Sequence, residues 1–202
     1  MMKMRVKLAV NNPFWDAVLG STMLRYLDQE IASDERLTVL EIGCGRGGTT
    51  EILLNLLPNS FITAVDIDDE QIRLAEHRIR SNRVEFMVEH AAETSFEDAM
   101  FDLVTEFNTL HHVLAWRKAI AEAARVLKPG GYFILAGINR RGLTNALFRK
   151  FVSPKSLINT VEIIEEAARQ GLKIKKDYSH SHYMRLVFRR VPLRKKPKRI
   201  AF

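Results

Sequence analysis

Ten residues carry the strongest chemical signal in this chain: Val39-Leu40-Glu41-Ile42-Gly43-Cys44-Gly45-Arg46-Gly47-Gly48. An apolar run ends at an acid and enters a turn with glycines at 43, 45 and 47. Without Cβ atoms such a turn can be tight, and a ligand can lie against its backbone. The helix expected to open after it offers free first-turn amides and a positive dipole end to an anionic group. Asp66 follows twenty-one residues after Gly45, at the end of a second apolar run in Ala64-Val65-Asp66-Ile67-Asp68. From there a carboxylate can accept hydrogen bonds from the two hydroxyls of an adenosine ribose. The pairing predicts a nucleoside cofactor, and by itself it fits NAD, FAD or S-adenosylmethionine.

Other reactive side chains are few. His111 and His112 stand together after a fourth apolar run, where one of them could act as a general base or hold an acceptor hydroxyl. His180 and His182 have a spacing that could suit a metal, but no third or fourth ligand is in view, so no metal site is expected. Cys44, the one cysteine, falls inside the glycine turn, where a small side chain is needed and no nucleophile is implied.

These residues must be positioned by regular elements. From residue 37 onward strand-like and helix-like runs alternate, the pattern of a mostly parallel sheet covered by helices on both faces. Strands are expected over Leu37–Ile42, Ser60–Ile67, Val84–Glu89, Phe101–Phe107 and Gly131–Gly137, with helices over Gly48–Leu57, Asp69–Arg80 and Trp116–Leu127. Lys128-Pro129-Gly130-Gly131 reads as a turn closing the last of these helices. A further helix is expected from Ser153-Pro154 to Gly171, with Leu157, Val161, Ile164 and Ala168 at helical spacing. Leu172–Tyr178 and Tyr183–Arg190 are joined by only four residues, too few for a parallel crossover, and so predict an antiparallel hairpin. Before the sheet, Pro13–Ile31 reads as an amphipathic helix.

At 202 residues the chain is about one domain in size, with 47% hydrophobic and 27% charged residues. A lone cysteine allows no intrachain disulfide, no apolar run approaches a bilayer span, and Met1–Val10 lacks the pattern of a signal peptide. These features place the protein in the cytoplasm as an expectation. The net charge of +7 is uneven: residues 178–202 hold eight Lys/Arg and no acid, and without those eight the balance is −1. The basic stretch 185–199 could meet nucleic acid, an anionic membrane surface or an acidic protein, or could simply be solvated.

Further motifs separate the cofactors. Glu41-Ile42-Gly43-Cys44-Gly45-Arg46-Gly47 resembles the first motif of class I S-adenosylmethionine-dependent methyltransferases, with its acid two residues before the first glycine. Phe101-Asp102-Leu103-Val104-Thr105 with Leu110-His111-His112-Val113 is similar to their fourth strand and the loop after it. Arg125-Val126-Leu127-Lys128-Pro129-Gly130-Gly131-Tyr132-Phe133 is similar to their junction into the fifth strand. The final antiparallel hairpin also fits. Within the family the sequence loosely resembles the ubiquinone- and menaquinone-type enzymes acting on small molecules.

The resemblance implies a Rossmann-like α/β fold: a seven-stranded, mostly parallel sheet with an antiparallel last strand and helices on both faces. It implies S-adenosyl-L-methionine as cofactor. Glu41 would help hold the amino-acid end, while Gly43, Cys44, Gly45 and Gly47 would lie along the methionine and ribose. Asp66 would bind the ribose hydroxyls and Ile67 would pack on the adenine. Asn108 and Leu110 would border the methionine. One position departs from the pattern: in His90-Ala91-Ala92-Glu93 the acid expected to reach the adenine amino group falls on Ala91. That leaves Glu93, or backbone amides about Ala92, to hold the ring. Transfer of the methyl group needs mainly an aligned acceptor, with His111 or His112 as base only where the acceptor must lose a proton.

The expected organisation is an N-terminal helical segment over 1–34 within the same domain, a methyltransferase domain over 35–190, and a basic tail over 191–202. Acceptor contacts are expected from Asn11, Asn12, Phe14 and Trp15 and from the stretch 138–153, where Leu143, Leu147 and Phe151 share a helical face. A small-molecule acceptor is favoured. An RNA or protein acceptor using the basic tail, and a non-catalytic partner subunit, are the alternatives.

Overall fold

The structure is a computed structural model, and residues 31, 34–139, 158–181 and 183–191 are described. The expected N-terminal helix with its acceptor candidates, the 138–153 stretch beyond Asn139, His182 and nearly all of the basic tail lie outside those residues. The element order is β1 (Thr38–Ile42), α1 (Gly48–Leu56), β2 (Phe61–Asp66), α2 (Asp69–Arg78), β3 (Val84–Val88), β4 (Phe101–Phe107), a 3-10 turn (Leu110–His112), α3 (Trp116–Val126), β5 (Leu127–Ile138), α4 (Thr160–Arg169), β6 (Leu172–Asp177) and β7 (Tyr183–Arg190).

Seven strands form one sheet in the order β3-β2-β1-β4-β5-β7-β6. The pairs β1–β2, β1–β4, β2–β3 and β4–β5 are parallel, and β7 is antiparallel to both β5 and β6. The expected sheet and closing hairpin are therefore both present. The strand order reverses between β1 and β4, which is where an open α/β sheet leaves a crevice beyond its carboxyl ends. The loops after β1, β2 and β4 all open there.

Burial explains why the strands read as apolar runs. Val39, Leu40, Leu103 and Val104 are fully buried because helices cover both faces. One core layer joins Leu40, Val104, Phe133 and Leu135 to Ile120 of α3 and Ile163 of α4. The other joins Val39, Leu103 and Ile134 to Leu53 of α1 and Ile72 of α2. Among the described residues no helix is long and apolar enough to cross a membrane.

Two expectations are corrected. Lys128-Pro129-Gly130-Gly131 does not separate helix from strand, because β5 begins at Leu127 and runs through these residues. Phe101 pairs with Leu127 but Leu103 pairs with Tyr132, so the surplus residues are absorbed as a bulge. Lys128 holds that bulge by an ion pair to Asp102 at 2.8 Å. The helix after it also differs. α4 starts at Thr160, where Asn159 accepts from the Val161 amide and forms a capping box with Glu162. Its buried face carries Ile163, Glu166 and Ala167, while Val161 is 58% exposed. Both stripes have helical spacing, and contact with α3 and β6 selects between them.

Candidate cofactor site

The glycine turn is stitched to the end of β2. The amides of Gly43 and Cys44 both donate to the Val65 carbonyl, at 2.7 and 3.0 Å. Gly43, Gly45 and Gly47 all have positive φ, 78°, 53° and 84°, which a side chain would strain. At Gly43 a second constraint applies, since a Cβ there would overlap the Thr109 side chain. The loop after β4 is thus packed directly on the turn after β1, and Thr109 Oγ1 donates to the Gly43 carbonyl at 3.2 Å.

Asp66 ends β2 beside this turn. Its Oδ2 accepts from the Gly45 amide at 3.0 Å and its Oδ1 from the Asp68 amide at 2.9 Å. Each oxygen keeps a second lone pair, so the braced carboxylate can still accept from two hydroxyls. Burial pushes its pKa up. Ile67 next to it is 61% exposed, an apolar side chain left uncovered where a flat ring could rest. The turn His90–Glu93 lies at the end of β3, joined to the site where the Glu89 amide donates to the Asp66 carbonyl. The Ala92 amide donates to His90 Nδ1 at 3.1 Å, whereas the Glu93 side chain is exposed and makes no hydrogen bond among the described residues.

Glu41 sits differently from a ligand-facing acid. It is 1% exposed, and its two oxygens accept from the hydroxyls of Thr49 and Thr50, the latter at 2.5 Å. Burial pushes its pKa up to about 7. Its direct contacts brace the first turn of α1 under the glycine turn. Cys44 is 3% exposed and packs with Leu53 and Phe107. Burial raises its thiol pKa, so it is no thiolate nucleophile.

The exit from β4 forms the remaining wall. Asn108 holds a left-handed conformation, φ 55°, and its amide donates to the Ala136 carbonyl at 2.8 Å. Leu110 is 3% exposed, so its side chain is in the core and only its backbone faces the loop. The rings of His111 and His112 lie against each other with centroids 4.1 Å apart and planes tilted by 46°. His111 is buried, and desolvation with the neighbouring His112 pushes its pKa down to about 3. His112 is partly exposed, with its pKa lowered by burial.

Residue-type reasoning passed over four groups that shape this site: Thr49 and Thr50 under Glu41, Thr109 against Gly43, and Glu106. Glu106 is 3% exposed, and one of its oxygens accepts from the amides of Thr109 and Leu110, at 2.5 and 2.6 Å. The available signal was an acid inside the apolar run Phe101–Phe107.

A glycine cradle at the sheet's switch point, with a braced carboxylate at the next strand end, defines a nucleoside-cofactor domain of the Rossmann-like class. The sequence family described as a methyltransferase domain matches residues 40–135. The fold matches a protein from Pyrococcus horikoshii OT3 with a TM-score of 0.74 and 22% identity, covering 90% of this chain and 93% of that one. An S-adenosylmethionine-dependent methyltransferase from Methanosarcina mazei aligns with a TM-score of 0.67 and 23% identity, over 82% and 97% of the two chains. Residues 40–135 are thus similar to the methyltransferase domain family, on a fold that S-adenosylmethionine-dependent methyltransferases share. Among curated relatives, the phthiotriol/phenolphthiotriol dimycocerosates methyltransferase of Mycobacterium tuberculosis is 35% identical over 50% of this chain. The fatty-acid O-methyltransferase of Mycolicibacterium smegmatis is 33% identical over 51% of it. The chain spans only 37% and 38% of the length of these two relatives.

Proposed function

We propose that this chain transfers the methyl group of S-adenosylmethionine to an oxygen of a small, lipophilic molecule. The observation that carries the cofactor half is the Gly43–Gly47 cradle with Asp66 fixed beside it by the Gly45 amide. The residues fit the group: Asp66 offers lone pairs to ribose hydroxyls, Ile67 an apolar surface for adenine, and the glycine turn a backbone without Cβ atoms. Glu93 is free to reach the ring edge, and the backbone of Asn108 and Leu110 borders the methionine end. When bound, the sulfonium makes the methyl group electrophilic.

What the chain must add is alignment and, for a hydroxyl acceptor, a destination for the proton. His111, with a pKa of about 3, is too weak a base. His112, in the same turn and partly exposed, is the better candidate for holding or deprotonating a hydroxyl. Leu114, two residues on, is 69% exposed and gives this rim an apolar contact for such an acceptor. Relatives named for dimycocerosate and fatty-acid methylation support the lipophilic class.

Titration calorimetry with S-adenosylmethionine and S-adenosylhomocysteine tests the cofactor half. Micromolar binding that Asp66→Ala abolishes, with no response to NAD, is expected. Wild-type protein that binds neither sinks the proposal. Radiolabelled methyl transfer to fatty acids and hydroxylated lipids then tests the acceptor class.

A further inference from the structure

Three polar atoms at the exit of β4 are buried without a hydrogen-bond partner among the described residues: Glu106 Oε2, Asn108 Oδ1 and His111 Nδ1. They fall within six consecutive residues, beside the glycine turn. Leaving such atoms unpaired is costly, typically about 1–3 kcal/mol each, so a segment that keeps three is built for something other than stability.

The geometry about Glu106 is specific. Its side chain projects from β4 between Ile42 of β1 and Leu135 of β5, the residues paired with it in the sheet. Oε1 takes both the Thr109 and Leu110 amides, the free donors at the start of the 3-10 turn. The preceding residue, Asn108, bends the chain through a left-handed conformation that this capture, the Ala136 carbonyl and the bond from Thr109 Oγ1 to the Phe107 carbonyl hold. Thr109 then meets Gly43, and the turn that follows carries His111 and His112. One carboxylate therefore fixes both the contact with the cofactor cradle and the acceptor-side histidines.

Resting on the cofactor reading above, we propose that Glu106 is a positioning residue: it locks the β4 exit turn so that Thr109 braces the glycine turn against the cofactor. Ionised Glu106 accepts the two amides more strongly than its neutral form. Burial pushes its pKa up to about 7, so the lock tightens as pH rises through neutrality. The titratable groups on the elements about this face are His111 and His112 of the turn itself and Arg117, Lys118, Glu122 and Arg125 of α3, while Glu41 of β1 points to the opposite face, towards Thr49 and Thr50. β5 opposes Glu106 with Leu135 and brings no charge.

The experiment is calorimetry with S-adenosylhomocysteine at pH 6, 7 and 8 for wild type, Glu106→Gln and Glu106→Ala, each checked for folding by circular dichroism. Wild-type affinity is expected to rise from pH 6 to 8. Glu106→Gln, which keeps a carbonyl acceptor but cannot ionise, should lose that rise and hold the low-pH affinity throughout. Glu106→Ala should bind about tenfold more weakly at pH 8, the loss of about one charge-assisted hydrogen bond. Should Glu106→Ala fail to fold, the flat profile of Glu106→Gln still decides. A Glu106→Gln variant with wild-type affinity and a wild-type pH profile overturns the proposal alone. A wild-type protein that binds no S-adenosylhomocysteine overturns the cofactor reading and this proposal together.

Discussion

At the scale of single residues, the site is held by backbone geometry as much as by side-chain chemistry. Gly43 shows this best, because it needs both a left-handed φ and the space that Thr109 occupies. Gly43→Ala should destabilise the fold by about 1–3 kcal/mol and weaken S-adenosylhomocysteine binding. Adding Thr109→Gly to it should recover part of the loss, since it removes the overlapping Cβ, Oγ1 and Cγ2 but not the backbone strain at residue 43. Thermal melts and calorimetry of the single and double variants check this, and a double variant no better than the single would show that φ strain alone matters. The two acids of the cradle divide their tasks. Each oxygen of either acid accepts one hydrogen bond within the chain, but Asp66 is partly exposed to a ligand, whereas Glu41 is 1% exposed and closed against Thr49 and Thr50.

At the scale of elements, caps and dipoles fix where the helices begin. Asp68 caps α2 by accepting from the Glu70 amide, and that helix has Asp69 and Glu70 in its first turn and His77 and Arg78 in its last. α4 depends on the Asn159–Glu162 capping box, with no earlier helical residue among those described to share the task. Asn159→Ala is expected to cost about 1 kcal/mol, a fall of roughly 2–4 °C in melting temperature for a domain of this size. Because α4 packs on α3 and β6, away from the glycine turn, cofactor binding should be unchanged. A variant that melts normally but binds poorly would contradict that division.

At the scale of the whole molecule, the sheet buries ionisable groups, and this ties stability to pH. Glu41 has a folded pKa of about 7 against an ordinary 4.5. Its contribution is therefore present below pH 4.5 and lost as pH rises to about 7. His111 works the other way: its folded pKa is lowered, so its contribution is present above its ordinary 6.5 and lost as pH falls towards 3. The two oppose each other in the wild type, but a comparison of variants isolates one. The stability of Glu41→Gln relative to wild type should rise between pH 4.5 and 7 by about 3 kcal/mol and then level off. Denaturant melts across that range measure it, and a difference independent of pH would show that Glu41 stays ionised when buried.

The sequence by itself determined what local pattern encodes. Apolar runs gave the strands, and the four-residue link made β6 and β7 a hairpin. The glycines at 43, 45 and 47, with Asp66 at its spacing, placed a cradle at the end of β1. These follow from periodicity, turn chemistry and chain connectivity, all of which act over a few residues. Tertiary structure decided the rest, because it depends on what each residue meets across the sheet. Packing on α3 and β6 chose the Ile163–Ala167 stripe over the Val161–Ala168 one. Pairing with Phe101 and Leu103 drew Lys128–Gly131 into β5. Burial separated His111 from His112, closed Glu41 against two threonines, and made Glu106 a clasp on the turn beside Gly43. Each of these is a long-range contact or a desolvation, and neither leaves a mark in the spacing of residues along the chain.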